Sequence, residues 1–155
     1  MECHWTQDKA DSEELVLTQT TLIENLATAH SMSGAKSSPP TDLTLFEIDK
    51  GDPCNQKEFQ RIVGGLLYIA RTTRPEISIQ VNLLGWRTAN PSNTNLRAAK
   101  QVCHYLLSTR SEGLRMKGTE GENLEAKIYA DASYGGEEAK SQTGVVVTLN
   151  KQTML

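Results

Sequence analysis

Residues 59–70 read FQRIVGGLLYIA and carry the strongest structural pattern in this chain. Their apolar side chains recur every three or four positions, which predicts a helix with one buried face. Gly64 and Gly65 interrupt that helix, although glycine costs about 1 kcal/mol relative to alanine inside a helix. We therefore expect both glycines to face a neighbouring element at close range. The predicted buried face consists of Phe59, Ile62, Val63, Leu66, Leu67 and Ala70.

Two further helices are expected after this one. Pro75 suits the first turn of the next helix, because the N–H that proline lacks is unpaired there in any case. Asn90 and Pro91 are expected to be the N-cap and the first residue of the helix that follows. Ser111 to Gly113 should end that helix. Its predicted apolar stripe consists of Leu96, Ala99, Cys103 and Leu106.

Strand patterns lie on both sides of these helices. Residues 14–18 favour a short strand, and residues 20–32 favour a helix. After Gly113 the apolar period changes from 3.6 to 2, which predicts strands over residues 124–131 and 143–149. The sequence therefore predicts an α+β fold.

Charge is unevenly distributed along the chain. Residues 1–56 carry 3 basic and 10 acidic side chains, residues 57–117 carry 10 and 3, and residues 118–155 carry 3 and 6. A basic segment between acidic ends is typical of a surface that faces an anionic partner, usually nucleic acid. The alternative is an ordinary solvated helix surface whose cations pair with the acidic flanks.

Composition excludes several classes of protein. An apolar fraction of 37% and a charged fraction of 23% exclude collagen, a coiled-coil rod and a fully disordered chain. No run approaches the ~18 apolar residues of a membrane span. The N-terminus lacks the basic and apolar regions of a secretory signal, so we expect an intracellular protein. Cys3, Cys54 and Cys103 lie far apart and are expected to be free thiols.

Three stretches, in order, resemble the reverse transcriptase of copia-type retrotransposon Pol polyproteins. LTQTTLIENLATAHSM, residues 17–32, is similar to the late palm segment. FQRIVGGLLYIARTTRPEIS, residues 59–78, is similar to a family signature, with Glu76 where aspartate is usual. NPSNTNLRAAKQVCHYLLSTRSEGL, residues 90–114, is similar to a further family signature, from which Asn95 departs.

A fourth stretch, IYADASYGGEEAKSQTGVVVTL, spans residues 128–149 and resembles the start of the family's RNase H domain. Asp131 stands at the first carboxylate of that domain, which implies a catalytic and metal-binding role in a complete enzyme. The resemblance implies Mg²⁺ as the cofactor there, because such sites hold metal ions with several carboxylates. One carboxylate is too few for Mg²⁺, so we expect this chain alone to bind none. The polymerase hairpin of the family, Tyr-x-Asp-Asp, is absent from the sequence.

The resemblance implies three segments. Residues 1–56 would be a lead-in and palm remnant, with one strand and one helix. Residues 57–113 would be a thumb-like helical segment, and residues 114–155 a truncated RNase H-like antiparallel sheet. Because the helix that covers such a sheet is missing, we expect the last segment to be the least stable or to pair through its exposed edges.

A thumb grips primer–template through phosphates, so the resemblance implies an RNA–DNA or DNA duplex as partner, bound weakly and without sequence preference. The rest of the Pol polyprotein is the other implied partner, and no membrane is expected. Candidate phosphate-binding residues lie off the apolar stripes, with solvated helix surface as the alternative: Arg87, Arg97, Lys100 and Arg110. Trp86 and Tyr105 suit base stacking, but core packing is the favoured interpretation.

Two functions remain open at the level of sequence. The first is the primer–template-binding part of a copia-type reverse transcriptase/RNase H that is catalytically incomplete by itself. The second is a non-enzymatic nucleic-acid or protein interaction module derived from such an element, or a decayed reading frame. The absent Tyr-x-Asp-Asp hairpin separates both from a working polymerase.

Overall fold

A computed structural model describes residues 1–7, 13–32, 51–118, 125–134, 141–150 and 152–153. These residues form a mixture of helices and strands, as the predicted α+β class requires. The strands are β1 (Glu2–Gln7), β2 (Glu13–Thr18), β3 (Leu114–Gly118), β4 (Ala126–Ser133), β5 (Gln142–Leu149) and β6 (Gln152–Thr153). The helices are α1 (Thr20–Ala29), α2 (Gln56–Thr72), α3 (Ser78–Gly85), which a 3₁₀ turn at Pro75–Ile77 precedes, and α4 (Asn93–Ser108).

The chain divides into two compact units. The helical unit comprises Met1–Cys3 and Leu17–Gly113, and the strand unit comprises His4–Val16 and Leu114–Leu155. Three strands form one sheet in the order β1-β2-β3, and the other three form a second sheet in the order β4-β5-β6. The three sequence segments that the resemblance implies stay a prediction.

The helical unit has an apolar core to which all four helices contribute. In α2 the predicted buried face is confirmed except at its edge. Leu67 is only half-buried, whereas Ile69 is fully buried. At 100° per residue, Ile69 and Leu67 lie on opposite edges of the stripe, and the core covers the edge with Ile69. The buried residues of α2 are Phe59, Ile62, Val63, Leu66, Ile69 and Ala70.

The two glycines of α2 have different surroundings. A Cβ on Gly65 would meet the Leu26 side chain of α1 at 3.0 Å, so the predicted close approach is confirmed there. For Gly64 the prediction is wrong, since a Cβ at this exposed position would have no neighbour within 4 Å. Successive residues of a helix point about 100° apart, so both could not face α1.

The start of α4 differs from the prediction. Ser92, not Asn90, is the N-cap, and Pro91 lies outside the helix. The Ser92 hydroxyl accepts a hydrogen bond from the Asn95 N–H, and Asn95 Oδ1 accepts one from the Ser92 N–H. This capping box explains the asparagine that departs from the family signature. Pro91 is held outside the helix because its carbonyl accepts a hydrogen bond from the Cys54 N–H at 3.1 Å.

The remaining predicted elements occur near their expected places. β2, β4 and β5 confirm the predicted strands to within two residues. α1 ends at Ala29, before the predicted end, and Ser31 adopts a positive φ of 55°. β1 and β3 were not predicted, because each contains only two apolar residues. The predicted turn at residues 135–136 lies outside the described residues.

Candidate nucleic-acid interface

The exposed side of α4 carries Arg97 and Lys100. α4 buries Ala98, Ala99, Val102, Cys103 and Leu106, which leaves the other side of the helix to polar and basic residues. Residues three apart on a helix share a face. Both cations line an open depression of about 510 Å³, together with Asn93, Leu96, Gln101 and His104.

Lys100 also belongs to a second depression, where α4 meets α2. This depression has a volume of about 560 Å³ and includes Lys57 and Arg61 of α2 in its lining. Because Lys100 lines both depressions, they form one continuous surface. We name Lys57, Arg61, Arg97 and Lys100, together with the carboxylate of Glu58, the Lys100 face.

Among the described residues that line the two depressions, Glu58 is the one acid, and it forms an ion pair with Lys100. The Lys100 Nζ atom lies 2.8 Å from Glu58 Oε1. This hydrogen bond lowers the pKa of Glu58 below its usual value, and Coulombic attraction from Lys100 and His30 adds to the effect. The His30 Nδ1 atom lies 3.8 Å from the same oxygen. Glu58 is therefore ionised at neutral pH and neutralises one of the four cations.

The other three cations of the face are available to a ligand. Lys57, Arg61 and Arg97 are exposed, and none forms an ion pair within the part of the chain that the structure describes. Lys57 and Arg61 were not singled out in the sequence. Their spacing of four residues places them on one side of α2, but only the folded core brings that side next to α4.

Arg87 and Arg110 lie away from this face. Arg110 follows the end of α4, and its Nε donates to Glu24 Oε1 of α1 at 2.9 Å. Pairing of the basic segment with an acidic flank, the alternative interpretation, therefore applies to Arg110. Arg87 is half-buried after α3 and lines neither depression. Of the four predicted phosphate contacts, the structure brings together Arg97 and Lys100.

The two aromatic candidates for stacking are not equally placed. Tyr105 packs against the apolar core, and its ring centroid lies 5.4 Å from the Arg74 guanidinium carbon. Core packing, the favoured interpretation, is thus confirmed for Tyr105. Trp86 is half-buried at the end of α3.

Asp131 lies in β4 opposite Gly144 of β5. Its carboxylate is exposed, and Oδ1 accepts a hydrogen bond from the Ala132 N–H at 2.9 Å. Within the described ranges, no group of three or more His, Cys, Asp or Glu side chains is placed to hold a metal ion. Mg²⁺ prefers several oxygen ligands, so the described surroundings of Asp131 do not fit it.

Neither Cys54 nor Cys103 is an activated nucleophile. Cys3, Cys54 and Cys103 are free thiols. Burial raises the pKa of Cys103 to about 12 and also raises the pKa of Cys54. The thiolate is the reactive form, so neither group is activated at neutral pH. No helix within the described residues has the length and hydropathy needed to cross a membrane.

Comparison with known proteins finds relatives but no family model and no solved structure that matches. The chain is 33% identical over 130 residues to a transposon Ty5-1 protein of Saccharomyces cerevisiae, covering 74% of this chain and 42% of that protein. It is 34% identical over 128 residues to the retrovirus-related Pol polyprotein from transposon RE1 of Arabidopsis thaliana, covering 81% of this chain and 8% of the polyprotein.

A third relative is shorter. The secreted RxLR effector protein 161 of Plasmopara viticola is 32% identical over 90 residues, which cover 57% of this chain and 62% of the effector. The chain thus spans less than half of the Ty5-1 protein and a small part of the RE1 polyprotein. The two transposon relatives and the ordered motif stretches agree, and the chain belongs to the retrovirus-related Pol polyproteins of transposons.

Proposed function

We propose that the chain is the primer–template-binding part of a copia-type reverse transcriptase/RNase H, with the helical unit as a thumb-like element. The observation that carries this proposal is the Lys100 face. It sets four cations against a single carboxylate on the surface of one compact unit. The net charge of the whole chain is −3, so this concentration of positive charge is local.

The face suits phosphate rather than bases. Lys57, Arg61 and Arg97 offer N–H donors that reach phosphate oxygens without reading the sequence. Displaced counterions provide most of the free energy of such binding, which makes it salt-dependent. Glu58 reduces the local charge and repels phosphate, but it also holds Lys100 in position through their 2.8 Å contact. The expected outcome is weak, sequence-tolerant binding to a duplex.

The same chain is catalytically incomplete by itself in this proposal. The sequence lacks the Tyr-x-Asp-Asp hairpin, and the described surroundings of Asp131 do not fit Mg²⁺. Mg²⁺-dependent primer extension, or cleavage of an RNA–DNA hybrid, that is lost in the Asp131→Ala variant would contradict this part of the proposal.

The binding proposal is tested by fluorescence anisotropy with an RNA–DNA hybrid at several salt concentrations. Each phosphate contact contributes about −0.9 to the slope of log affinity against log salt on a B-form duplex, so the three available cations give about −2.7. The double variant Arg61→Ala/Arg97→Ala, which removes two of these three cations, should flatten the slope by up to about two units. The matched control is Arg71→Ala/Arg110→Ala, which removes the same charge from residues outside both depressions.

Two results would contradict the proposal. One is the absence of binding at low salt, or binding that salt does not affect. The other is an equal effect of both double variants, since that would show a response to net charge rather than to the Lys100 face.

The second candidate function is a non-enzymatic interaction module. It is favoured by the 32% identity to an effector of Plasmopara viticola, whose name is not that of a polyprotein. In this alternative the helical unit presents a surface to another macromolecule without primer–template. A correctly folded chain that fails to bind hybrid at low salt would favour it.

A further inference from the structure

β4 forms an edge of its sheet among the described residues. The strand order is β4-β5-β6, so β5 covers one side of β4 and no described strand covers the other. Every residue of β4 is exposed. Edge strands present unpaired N–H and C=O groups, which are a template for pairing with another chain.

The pairing with β5 shows which residues of β4 direct their backbone N–H and C=O groups to the open edge. The Asn150 N–H donates to the Glu125 carbonyl at 2.8 Å, directly before the β4–β5 ladder. Hydrogen-bonded and non-hydrogen-bonded pairs alternate along an antiparallel ladder. Lys127, Tyr129 and Asp131 therefore direct their backbone groups towards β5.

The alternate residues Ile128, Ala130 and Ala132 direct their backbone groups away from β5. One hydrogen bond at Ala132 illustrates this direction. The Ala132 N–H is bonded to the Asp131 carboxylate in its own chain, at 2.9 Å. Ile128 and Ala130, together with the Ala132 carbonyl, thus form the hydrogen-bonding edge that β4 offers to another strand.

We infer that this edge pairs with β4 of a second copy of the chain, in antiparallel orientation, with Tyr129 opposite Tyr129 of the second copy. In this register Ile128 of one copy and Ala130 of the other form a hydrogen-bonded pair, as the direction of their backbone groups requires. Lys127 then lies opposite Asp131 of the second copy, and the reverse pair forms by symmetry. Opposite charges at directly facing positions stabilise a pair of strands.

The charges distinguish this register from its neighbours. The hydrogen-bonding alternation permits only shifts of two residues. One shift places Glu125 opposite Asp131 of the second copy, which is repulsive. The other shift places Lys127 opposite Ser133 and Asp131 opposite Tyr129, and so loses both ion pairs. Of these three registers, the Tyr129-centred one alone has two attractive pairs.

Exposed apolar side chains on the same hairpin also favour pairing with a second copy. Ile128 is 71% exposed and Tyr129 is 58% exposed. Val145 and Val146 of β5 are also exposed. Pairing two β4 strands places the two Tyr129 rings side by side. It also joins the apolar side chains on both faces of the two sheets, which removes part of their exposed surface from water.

The inference goes beyond nucleic-acid binding and is tested by sedimentation velocity on the full chain after nuclease treatment. Wild type should show a concentration-dependent dimer at about 100 µM. Lys127→Asp and Asp131→Lys should each weaken it at least about tenfold, because each places like charges opposite one another twice. An equimolar mixture of the two variants should associate as strongly as wild type, since the chains then carry opposite charges at both positions.

A matched control reverses a charge outside β4. Arg71→Asp, at an exposed position of α2, should leave the dimer unchanged. A wild-type chain that stays monomeric at about 100 µM would overturn the inference, because the β4 edge would then not pair with a second copy. So would a mixture of the two charge variants that associates no better than either alone. Recovery in the mixture also excludes misfolding as the cause of the single-variant losses.

Discussion

Arg74 is the largest fully buried side chain of the described residues, with 2% of its surface exposed. Its Nε donates to Glu76 Oε1 at 2.5 Å, and its two terminal nitrogens donate to the carbonyl and hydroxyl oxygens of Thr109 at 3.0 and 2.7 Å. The guanidinium also lies over the Tyr105 ring. Arg74 therefore joins the turn before α3 to the end of α4, a role that the family signature at residues 59–78 does not reveal.

Replacing Arg74 with methionine should lower the free energy of unfolding by about 3 kcal/mol. The reason is that the Thr109 oxygens at the end of α4 and the Glu76 carboxylate lose the donors that Arg74 provides. Arg74→Lys should cost less, since it keeps the charge but not the planar fork of donors. Urea denaturation measures both. Arg71→Met is the exposed control and should stay within about 0.5 kcal/mol of wild type.

Glu2 accepts hydrogen bonds from the start of α1, although it lies far from that helix in the sequence. Its Oε1 accepts hydrogen bonds from the Thr21 N–H at 2.9 Å and the Thr21 hydroxyl at 2.6 Å, whereas the N-cap Gln19 forms no side-chain cap. The Thr21 hydrogen bonds lower the pKa of Glu2 to about 2, from 4.5. A carboxyl with a lowered folded-state pKa stabilises the fold above its unfolded-state pKa and loses that effect as pH falls.

Glu2→Gln should therefore be less stable than wild type above pH 4.5, and the difference should shrink as pH falls from 4.5 towards 2. Denaturant unfolding of both proteins across this pH range measures it. An unchanged difference at pH 7 and at pH 2 would show that the Glu2 carboxylate does not act through its ionised form.

Two neighbouring glycines make α2 a sensitive test of helix packing. Gly64→Ala should stabilise the protein by about 1 kcal/mol, because alanine is the better helix former and the site is open. Gly65→Leu should destabilise it, because even a Cβ would approach Leu26 to 3.0 Å. Thermal melts of the two variants measure the contrast. Stabilisation by both would mean that α1 does not pack on α2 at this point.

Stability should differ between the two units of the molecule. The helical unit has core residues with almost no exposure, among them Phe59, Leu66 and Leu106. Every residue of β4 is exposed. Regions with few buried apolar contacts open at low free energy. Hydrogen exchange should therefore be faster at amides of β4 and β5 than at those of α2 and α4, and equal protection would contradict this.

The candidate site was only partly predictable. Arg97 and Lys100 were identified because they lie off the apolar stripe of a predicted helix, and the structure places them in one depression. Arg87 and Arg110 met the same criterion, yet neither lies there. A sequence shows which side of its own helix a residue occupies, but not what lies next to that side.

Local patterns in the sequence determined the helices, most of the strands and the family, because helical and strand periods and ordered motifs depend on neighbours along the chain. Only the tertiary structure decided which glycine of α2 lies against α1, that α4 begins after Ser92, and that Lys57 and Arg61 join Lys100. Each of these results depends on contacts between residues far apart in sequence. Such contacts arise when the apolar faces of separate helices are buried together, and no local pattern records which faces meet.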